Sequence, residues 1–369
     1  MSSLPFPRVL LGPGPSSVSG RVLEVVGRPP IGYLDPELLT IMPEIMAKLR
    51  TVFGTANEFT LPLTGTGMAG MECCLTNLLE PSDNVVIGVN GFFGGRMVEI
   101  ARRCGANVTQ VDFEWGTPVL PGPMREAASA ILGKVKLIGC VHAETSTGTA
   151  SPLAPIGALA RELGALFVVD AVTSLGGMAV ELDKNQVDAC YSATQKCMGC
   201  LPGMAPVSFS DRAIEAIKAR KSAPQSWYLD INLLKNYWSG DHMYHHTIST
   251  NMALAFRESL LEIDEEGLEA RFERHRTASD VLINGLVEMG IEPFAQAGFR
   301  LPMLNSVKVP DGIADMEVRG RLLREYGIEI GGGLGAAKGK IWRIGLMGDS
   351  ARLRNVELLL AALKRVLHA

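Results

Sequence analysis

The sequence predicts an α/β protein with a mostly parallel central sheet and a smaller α+β unit at the C-terminal end. The first observation is that short apolar runs alternate with segments of helical periodicity over most of the chain. The second is that polar or small residues directly follow several of those runs, as loops do at the carboxyl ends of parallel strands. A length of 369 residues allows two domains. We expect a large domain over residues 1–262, with an N-terminal extension, and a small domain over residues 263–369.

Composition and charge are typical of a globular enzyme. Hydrophobic residues make up 47% of the chain, charged residues make up 20%, and the net charge is -4, which gives no general attraction to nucleic acid or anionic membranes. We find neither a signal-peptide pattern nor an apolar run that could span a membrane. The seven cysteines mostly lie in apolar or small-residue segments, as free thiols do in a reducing compartment. We therefore expect a cytoplasmic protein without membrane or nucleic-acid partners.

The chain begins with two irregular stretches and a long helix. Residues 12–16 and 29–36 are rich in glycine and proline, which is typical of linking turns. Apolar residues at helical spacing then predict a helix over residues 36–53. Tyr33 is a candidate substrate contact, and packing against its own domain is the alternative.

A glycine-rich stretch at residues 64–70 precedes a predicted helix over residues 71–79. It contains the spacing Gly-x-Gly-x-x-Gly, which in dinucleotide-binding folds is accompanied by an acidic residue after the next strand. The next predicted strand ends in Asn90, so a nicotinamide site lacks its second element. A helix N-terminus still favours a single phosphate, which makes Gly65, Thr66 and Gly67 candidate ligands. A tight turn without a ligand is the alternative.

Two aromatic residues, Phe92 and Phe93, follow that strand between glycines and lead into a helix predicted over residues 97–104. One ring could stack on a planar cofactor, and burial in the core is the alternative. Further strands at residues 107–112, 136–142 and 165–169 alternate with helices at residues 123–131 and 156–163, as in right-handed crossovers.

Two residues of complementary chemistry follow buried strands. Asp170 ends one apolar run, and Lys196 follows the run at residues 187–191 through a polar loop. A partly desolvated lysine amine can lose its proton and attack a carbonyl. Pyridoxal phosphate needs such a lysine to hold its aldehyde as an imine, and an acid beside its pyridine nitrogen. The pair therefore predicts this cofactor, although a surface lysine and a capping or metal-binding aspartate are alternatives.

The last part of the chain predicts a compact α+β unit. A helix over residues 251–263 is followed by a charged helix over residues 264–289, and strand-like runs then alternate with helices at residues 316–326 and 351–368. Arg343 lies in an apolar strand, where an unpaired charge is costly, so it should have an anionic partner. That partner could be a substrate carboxylate or a structural ion pair. Adjacent histidines at residues 245–246 point apart, so no metal site is predicted.

Together these motifs resemble the pyridoxal-phosphate-dependent class V aminotransferases, and within them the alanine-glyoxylate and serine-glyoxylate aminotransferases. The resemblance runs nearly end to end. It implies the type I fold of pyridoxal-phosphate transferases and a homodimer with composite active sites. The segments that carry it are residues 12–16, 64–67, 90–91, 144–148, 169–177, 194–196, 228–231, 243–248 and 343–345.

The resemblance also implies roles for individual residues. Many relatives carry a tryptophan at the ring-stacking position, which is phenylalanine here. The implied roles are Lys196 as the imine lysine, Asp170 at the pyridine nitrogen, Thr145 near the ring hydroxyl, Phe93 against the ring, Thr66, Gly67 and Gln195 at the phosphate, Tyr244 and Thr247 at the phosphate of the neighbouring subunit, Arg343 at the substrate carboxylate, and Gly32 and Tyr33 in the substrate-side loop.

The implied activity is ping-pong transfer of an amino group from a small L-amino acid, alanine or serine, to glyoxylate or a similar 2-oxo acid. A different donor and acceptor pair (aspartate, pyruvate or pyridoxamine) is one alternative, and a lyase on the same scaffold is another. A desulfurase should carry a cysteine in its C-terminal half, and none follows Cys200. A binding protein that kept the fold without turnover and a nicotinamide-dependent enzyme are further alternatives.

Overall fold

A computed structural model describes residues 7–239 and 241–368, so the segment in which a signal peptide was sought lies mostly outside the described residues. In the described part, no helix is long and apolar enough to cross a membrane. The helices and strands are β1 (Val9–Leu10), α1 (Gly20–Val26), α2 (Pro36–Phe53), β2 (Phe59–Thr64), α3 (Gly67–Leu78), β3 (Asn84–Val89), α4 (Phe92–Arg103), β4 (Asn107–Asp112), α5 (Pro121–Ser129), β5 (Val135–Val141), β6 (Ala143–Glu144), β7 (Thr149–Ala150), α6 (Leu153–Glu162), β8 (Leu166–Asp170), β9 (Ala189–Tyr191), β10 (Met204–Phe209), α7 (Asp211–Lys218), α8 (Ile231–Trp238), α9 (Thr250–Glu266), α10 (Leu268–Glu288), β11 (Leu304–Lys308), α11 (Asp315–Tyr326), β12 (Ile328–Glu329), β13 (Gly331–Gly332), β14 (Ile341–Gly345) and α12 (Leu353–His368).

The central sheet has seven strands in the order β2-β10-β9-β8-β5-β3-β4. Strands β9, β8, β5, β3 and β4 run parallel, and β10 is antiparallel to both of its neighbours, β9 and β2. The predicted mostly parallel sheet is confirmed. Strands β5, β8 and β9 are buried almost throughout, which explains why they are continuous apolar runs in the sequence. The strand order reverses between β3 and β5, and ligands bind at such switch points beyond the carboxyl ends of the strands.

Several helix boundaries follow local signals, and others do not. Helix α2 has the predicted bounds, because the side chain of Asp35 caps its first turn and Gly54 ends it with a φ of 64°. Helix α4 begins at Phe92 rather than near residue 97, so the two aromatic residues lie in its first turn. The charged stretch from residue 264 does not form one helix, because Gly267, with a φ of 79°, separates α9 from α10.

The C-terminal part has its own apolar core, which lies between helices α10 to α12 and the antiparallel sheet β11-β14-β13. Strand β1 pairs in parallel with β12, so Val9 lies beside Ile328, and Leu11 also belongs to this core. A small apolar cluster that includes Cys197, Met303 and Met347 joins the two parts of the molecule. The domain boundary at residue 262 stays a prediction.

Candidate active site

A pocket opens at the carboxyl edge of the central sheet, beside the switch point. Loops after β2, β3, β5, β8 and β9 contribute to its wall, so side chains far apart in sequence meet there. Seven of the residues singled out from the sequence line it. The lining residues are Thr66, Gly67, Met68, Met71, Phe93, Val141, Ala143, Thr145, Asp170, Val172, Thr173, Gln195 and Lys196.

Asp170 ends strand β8 and is almost fully buried. One carboxylate oxygen accepts a hydrogen bond from the backbone N–H of Val172 at 2.8 Å, and the other accepts one from the Tyr191 hydroxyl at 2.9 Å. Burial raises the pKa of Asp170 to about 7, although both hydrogen bonds and the nearby Lys196 act in the opposite direction. The role of Tyr191 was missed in the sequence. The sequence places this tyrosine in a short apolar strand, and a tyrosine hydroxyl buried in such a strand needs a hydrogen-bond partner. That requirement is the feature from which its contact with a buried polar group could have been predicted.

Lys196 is partly buried in the loop after β9, and the amine donates a hydrogen bond to the carbonyl oxygen of Pro13. Gly14 has a φ of 111°, and a Cβ built there would overlap the lysine amine. The hydroxyl of Ser16 donates to the Lys196 carbonyl at 3.0 Å, and the Ser16 N–H donates to the Gln195 carbonyl at 3.0 Å. The segment at residues 12–16 therefore supports the lysine rather than only linking elements. Burial lowers the pKa of Lys196 to about 8.

The candidate phosphate end of the pocket is the N-terminus of α3. Thr66 precedes this helix without giving it a side-chain hydrogen bond, so the first helical N–H groups are left for another partner. The Gly65 N–H donates to the Gly203 carbonyl at 2.9 Å and is therefore already used. The buried Oε1 atom of Gln195 has no hydrogen-bond partner among the described residues.

A buried carboxylate positions Phe93. Glu144 accepts hydrogen bonds from the N–H groups of Phe93 and Gly94, at 3.0 and 3.2 Å, and from both the N–H and the hydroxyl of Ser146. It therefore caps helix α4 across a separation of about 50 residues, which sequence inspection did not reveal. Burial raises the pKa of Glu144 against the effect of these bonds. The guanidinium of Arg96 lies 5.5 Å from the centroid of the Phe93 ring.

Arg343 is buried in β14, close to the pocket wall. The guanidinium donates to the carbonyl of Gly332 at 2.7 Å and to the carbonyl of Thr145 at 3.3 Å. Among the described residues, no carboxylate lies within 4.0 Å of the guanidinium, so the expected anionic partner is not a protein side chain of this part of the chain. Burial lowers the pKa of Arg343 to about 10.

Besides Gly65 and Arg343, four predicted site residues do not line this pocket: Gly32, Tyr33, Tyr244 and Thr247. The Tyr244 side chain is 58% exposed, its hydroxyl lies 3.4 Å from the Thr247 hydroxyl, and its ring centroid lies 4.9 Å from that of Tyr33. The Gly32 carbonyl accepts from the Asp35 N–H in the turn before α2. Tyr33 and Tyr244 belong to a partly exposed group that we call the aromatic surface: Tyr33, Trp227, Tyr228, Met243 and Tyr244.

Two histidines link the aromatic surface to the end of β2. The Nδ1 atoms of His245 and His246 lie 2.8 Å apart. The Nε2 atom of His245 lies 3.3 Å from the Trp227 carbonyl, and that of His246 lies 3.2 Å from the Thr64 hydroxyl. Burial lowers the pKa of His246 to about 4. Thr64 immediately precedes the candidate phosphate loop.

Comparison with known proteins gives consistent similarities over the whole chain. The family model described as aminotransferase class-V matches residues 31–352. The chain is 40% identical to (S)-ureidoglycine–glyoxylate transaminase of Bacillus subtilis, with 98% of this chain and 90% of that protein covered. It is 37% identical to alanine–glyoxylate aminotransferase of Drosophila melanogaster, with 98% and 93% covered. The crystal structure of alanine–glyoxylate aminotransferase from Nostoc sp. superposes with a TM-score of 0.97 at 43% identity, covering 100% of this chain and 97% of that chain.

Proposed function

The chain belongs to the class V aminotransferases, and from that premise we propose that it transfers the amino group of a small L-amino acid to glyoxylate. The family and the α/β fold class predicted from the sequence are thereby confirmed. The observation that carries the proposal is that two relatives named for different donors are both named for glyoxylate as well. Alanine and serine remain the proposed donors, and (S)-ureidoglycine, which was not considered from the sequence, joins them. A similar small 2-oxo acid is the alternative acceptor.

The family implies pyridoxal phosphate, and the residues of the pocket fit that group. Lys196 supplies an amine of lowered pKa, and Asp170 supplies a buried carboxyl at the end of strand β8. The first N–H groups of α3 receive no side-chain hydrogen bond from Thr66, as expected where a bound anion completes their hydrogen bonding. We propose that Thr66, Gly67 and Gln195 hold the phosphate, that Phe93 covers the ring, and that Thr145 lies near its hydroxyl.

When bound, the cofactor would accept the electrons of the broken Cα–H bond and carry the amino group between the two half-reactions. The protein supplies the proton transfers. Because the pKa of Lys196 is about 8, a useful fraction of its amine is neutral near physiological pH and can take the proton from the substrate Cα and later return it. Asp170, which accepts hydrogen bonds from Val172 and Tyr191, would place its carboxyl beside the ring nitrogen.

Arg343 is the proposed anchor for the substrate carboxylate. Its protein hydrogen bonds go to backbone carbonyls, so the positive charge is available to an anionic ligand. A bidentate grip would fix the Cα–H bond relative to Lys196, and the same grip would serve the amino acid and the 2-oxo acid in turn. Tyr33 and Gly32 remain proposed substrate contacts.

We also propose a homodimer in which Tyr244 and Thr247 of one copy complete the phosphate site of the other. Both side chains lie outside the pocket of their own chain. The aromatic surface exposes large apolar groups, since Trp227 is 63% exposed and Tyr244 is 58% exposed. A cytoplasmic location is proposed as well, since all seven cysteines are free thiols.

The deciding experiment offers the cofactor-loaded protein alanine, serine or (S)-ureidoglycine, each with and without glyoxylate. We expect glycine to form only when donor and glyoxylate are both present. A donor alone should change the visible cofactor band once, and glyoxylate should reverse that change. Lys196→Ala should abolish both effects while leaving the circular dichroism spectrum unchanged.

Other outcomes separate the alternatives. Ammonia release without any oxo acid would indicate a lyase, and absence of glycine with every donor tested would overturn the glyoxylate assignment. Product formation with aspartate, pyruvate or pyridoxamine as a reactant would instead identify a different donor and acceptor pair.

A further inference from the structure

Two arginines of α10 hold the last residue of α9 between them. Arg271 donates to a Glu266 carboxylate oxygen at 2.7 Å, and Arg274 donates to the two oxygens of the same carboxylate at 2.5 and 2.9 Å. Gly267 separates the two helices, which lets the chain turn and bring these charges together. We call Glu266, Arg271 and Arg274 the α9–α10 clamp.

The other hydrogen bonds of Arg271 go to the loop that carries Lys196 and to the loop that follows Asp170. The Arg271 residue is only 5% exposed. Its Nη2 donates to the carbonyl of Cys197 at 2.7 Å, and its Nε donates to the carbonyl of Gly176 at 3.0 Å. Cys197 directly follows Lys196, and Gly176 lies in the segment after Asp170. One rigid guanidinium therefore sets the distance between these two loops.

Arg274 reaches the loop that follows the strand of Arg343. Its Nη1 donates to the carbonyls of Gly348 and Ala351, at 2.8 and 2.9 Å. The same loop is held from α10 by His275, whose Nε2 accepts from the Gly348 N–H at 3.2 Å. Three loops that extend from the proposed catalytic and carboxylate-binding residues are thus tied to one helix.

The contacts of the clamp indicate that it positions the three loops rather than stabilises the fold. A buried ion pair gains little net stability, because the cost of desolvating its charges offsets their attraction. Charged donors on backbone carbonyls are nevertheless short and directional, so they restrict where those carbonyls lie. Among the described residues, the hydrogen bonds from the clamp to the three loops all end on backbone carbonyls.

We propose that the α9–α10 clamp positions the reacting groups for transamination. Arg271 fixes Lys196 relative to Asp170, and Arg274 fixes the loop after Arg343 relative to Lys196. The inference rests on the proposed aminotransferase function. Because a displacement of about 1 Å can cost about 100-fold in rate, loss of Arg271 should lower kcat, whereas loss of Arg274 should raise KM for the amino donor.

The test compares Arg271→Met, Arg271→Lys and Arg274→Met with Arg276→Met as the matched control. Arg276 lies on the same helix, and in the described part of the chain its hydrogen bonds go to the exposed Glu273 alone, so its loss should change nothing. We expect Arg271→Met to lower kcat about 10- to 100-fold and to shift the pH at which the visible cofactor band titrates. Arg274→Met should raise KM about 10-fold with that pH unchanged.

Two further variants separate an effect on kcat from a loss of folding. Arg271→Lys keeps the charge beside Glu266 but cannot reach both carbonyls, and the double variant E266Q/R271M removes both charges together. Both should fold, and both should show the lowered kcat and the shifted titration. Unchanged kcat and titration pH in either folded variant would overturn the proposal, as would losses fully explained by lower cofactor occupancy. The titration requires no turnover, so it tests the clamp even if the wild-type protein fails to transaminate glyoxylate.

Discussion

Replacing Tyr191 with phenylalanine should weaken cofactor binding through Asp170 alone. The substitution removes one hydroxyl, which donates to the Asp170 carboxylate at 2.9 Å inside a fully buried strand. A hydrogen bond to a charged group contributes about 1.5–3 kcal/mol. Since about 1.4 kcal/mol corresponds to one pKa unit, the pKa of Asp170 should rise by about 1 to 2 units above its value of about 7.

A protonated Asp170 no longer pairs with a cationic ring nitrogen. Wild-type Asp170 is about half ionised at pH 7, so a rise of about 1 to 2 units in its pKa should increase the dissociation constant of pyridoxal phosphate about 5- to 50-fold. Fluorescence titration of the apoprotein with pyridoxal phosphate measures this constant directly. Ser279→Ala is the control, because it also removes one buried hydroxyl hydrogen bond, at 2.7 Å to Asn305, outside the pocket. Equal affinities for wild type and Tyr191→Phe, with both proteins folded, would refute the reasoning.

Three further predictions concern the same pocket. The pKa of Asp170 in the folded protein is about 7, above its ordinary value of 3.8. Its stabilising contribution to the apoprotein is therefore complete below about pH 4 and is lost as pH rises through 7. Between these limits, the unfolding free energy of wild type, measured by urea denaturation, should fall by about 4 kcal/mol more than that of Asp170→Asn. Glu144→Gln should lower the unfolding free energy by about 1–3 kcal/mol in the same assay, because an amide NH₂ would face N–H donors. Glu99→Gln, on the exposed face of α4, should leave it nearly unchanged, and equal effects of the two substitutions would contradict the capping role. Arg343→Lys should raise KM for the amino donor about 100-fold in steady-state kinetics, while a binding titration should show unchanged cofactor affinity. An unchanged KM would exclude Arg343 as the anchor of the substrate carboxylate.

The sequence predicts those features of this molecule that depend on local pattern. Strand β8 is a continuous apolar run that ends at Asp170, as expected for a strand buried on both faces of a parallel sheet. The change from apolar to polar residues before Lys196 marks the end of the next strand in the same way. Helix α2 carries its own capping residues, so its bounds were predicted correctly. These signals lie within a few residues of the feature they specify.

The features that sequence inspection missed depend on contacts between distant segments. Helix α4 starts five residues earlier than predicted because Glu144, about 50 residues away, caps its first turn. Residues 12–16 have the composition of a linker, yet the carbonyl of Pro13 accepts a hydrogen bond from Lys196. Arg271 appears in the sequence as one charge of a solvated helix face, and only the packing of α10 shows that it is buried.

The histidine pair between the aromatic surface and the phosphate loop has a fixed order of donors and acceptors. The carbonyl of Trp227 can only accept, so the proton of His245 is on Nε2 and its Nδ1 accepts from His246. Nε2 of His246 must then accept from the hydroxyl of Thr64. One carbonyl at the surface therefore sets the tautomer of both rings and the rotamer of the hydroxyl beside the phosphate loop.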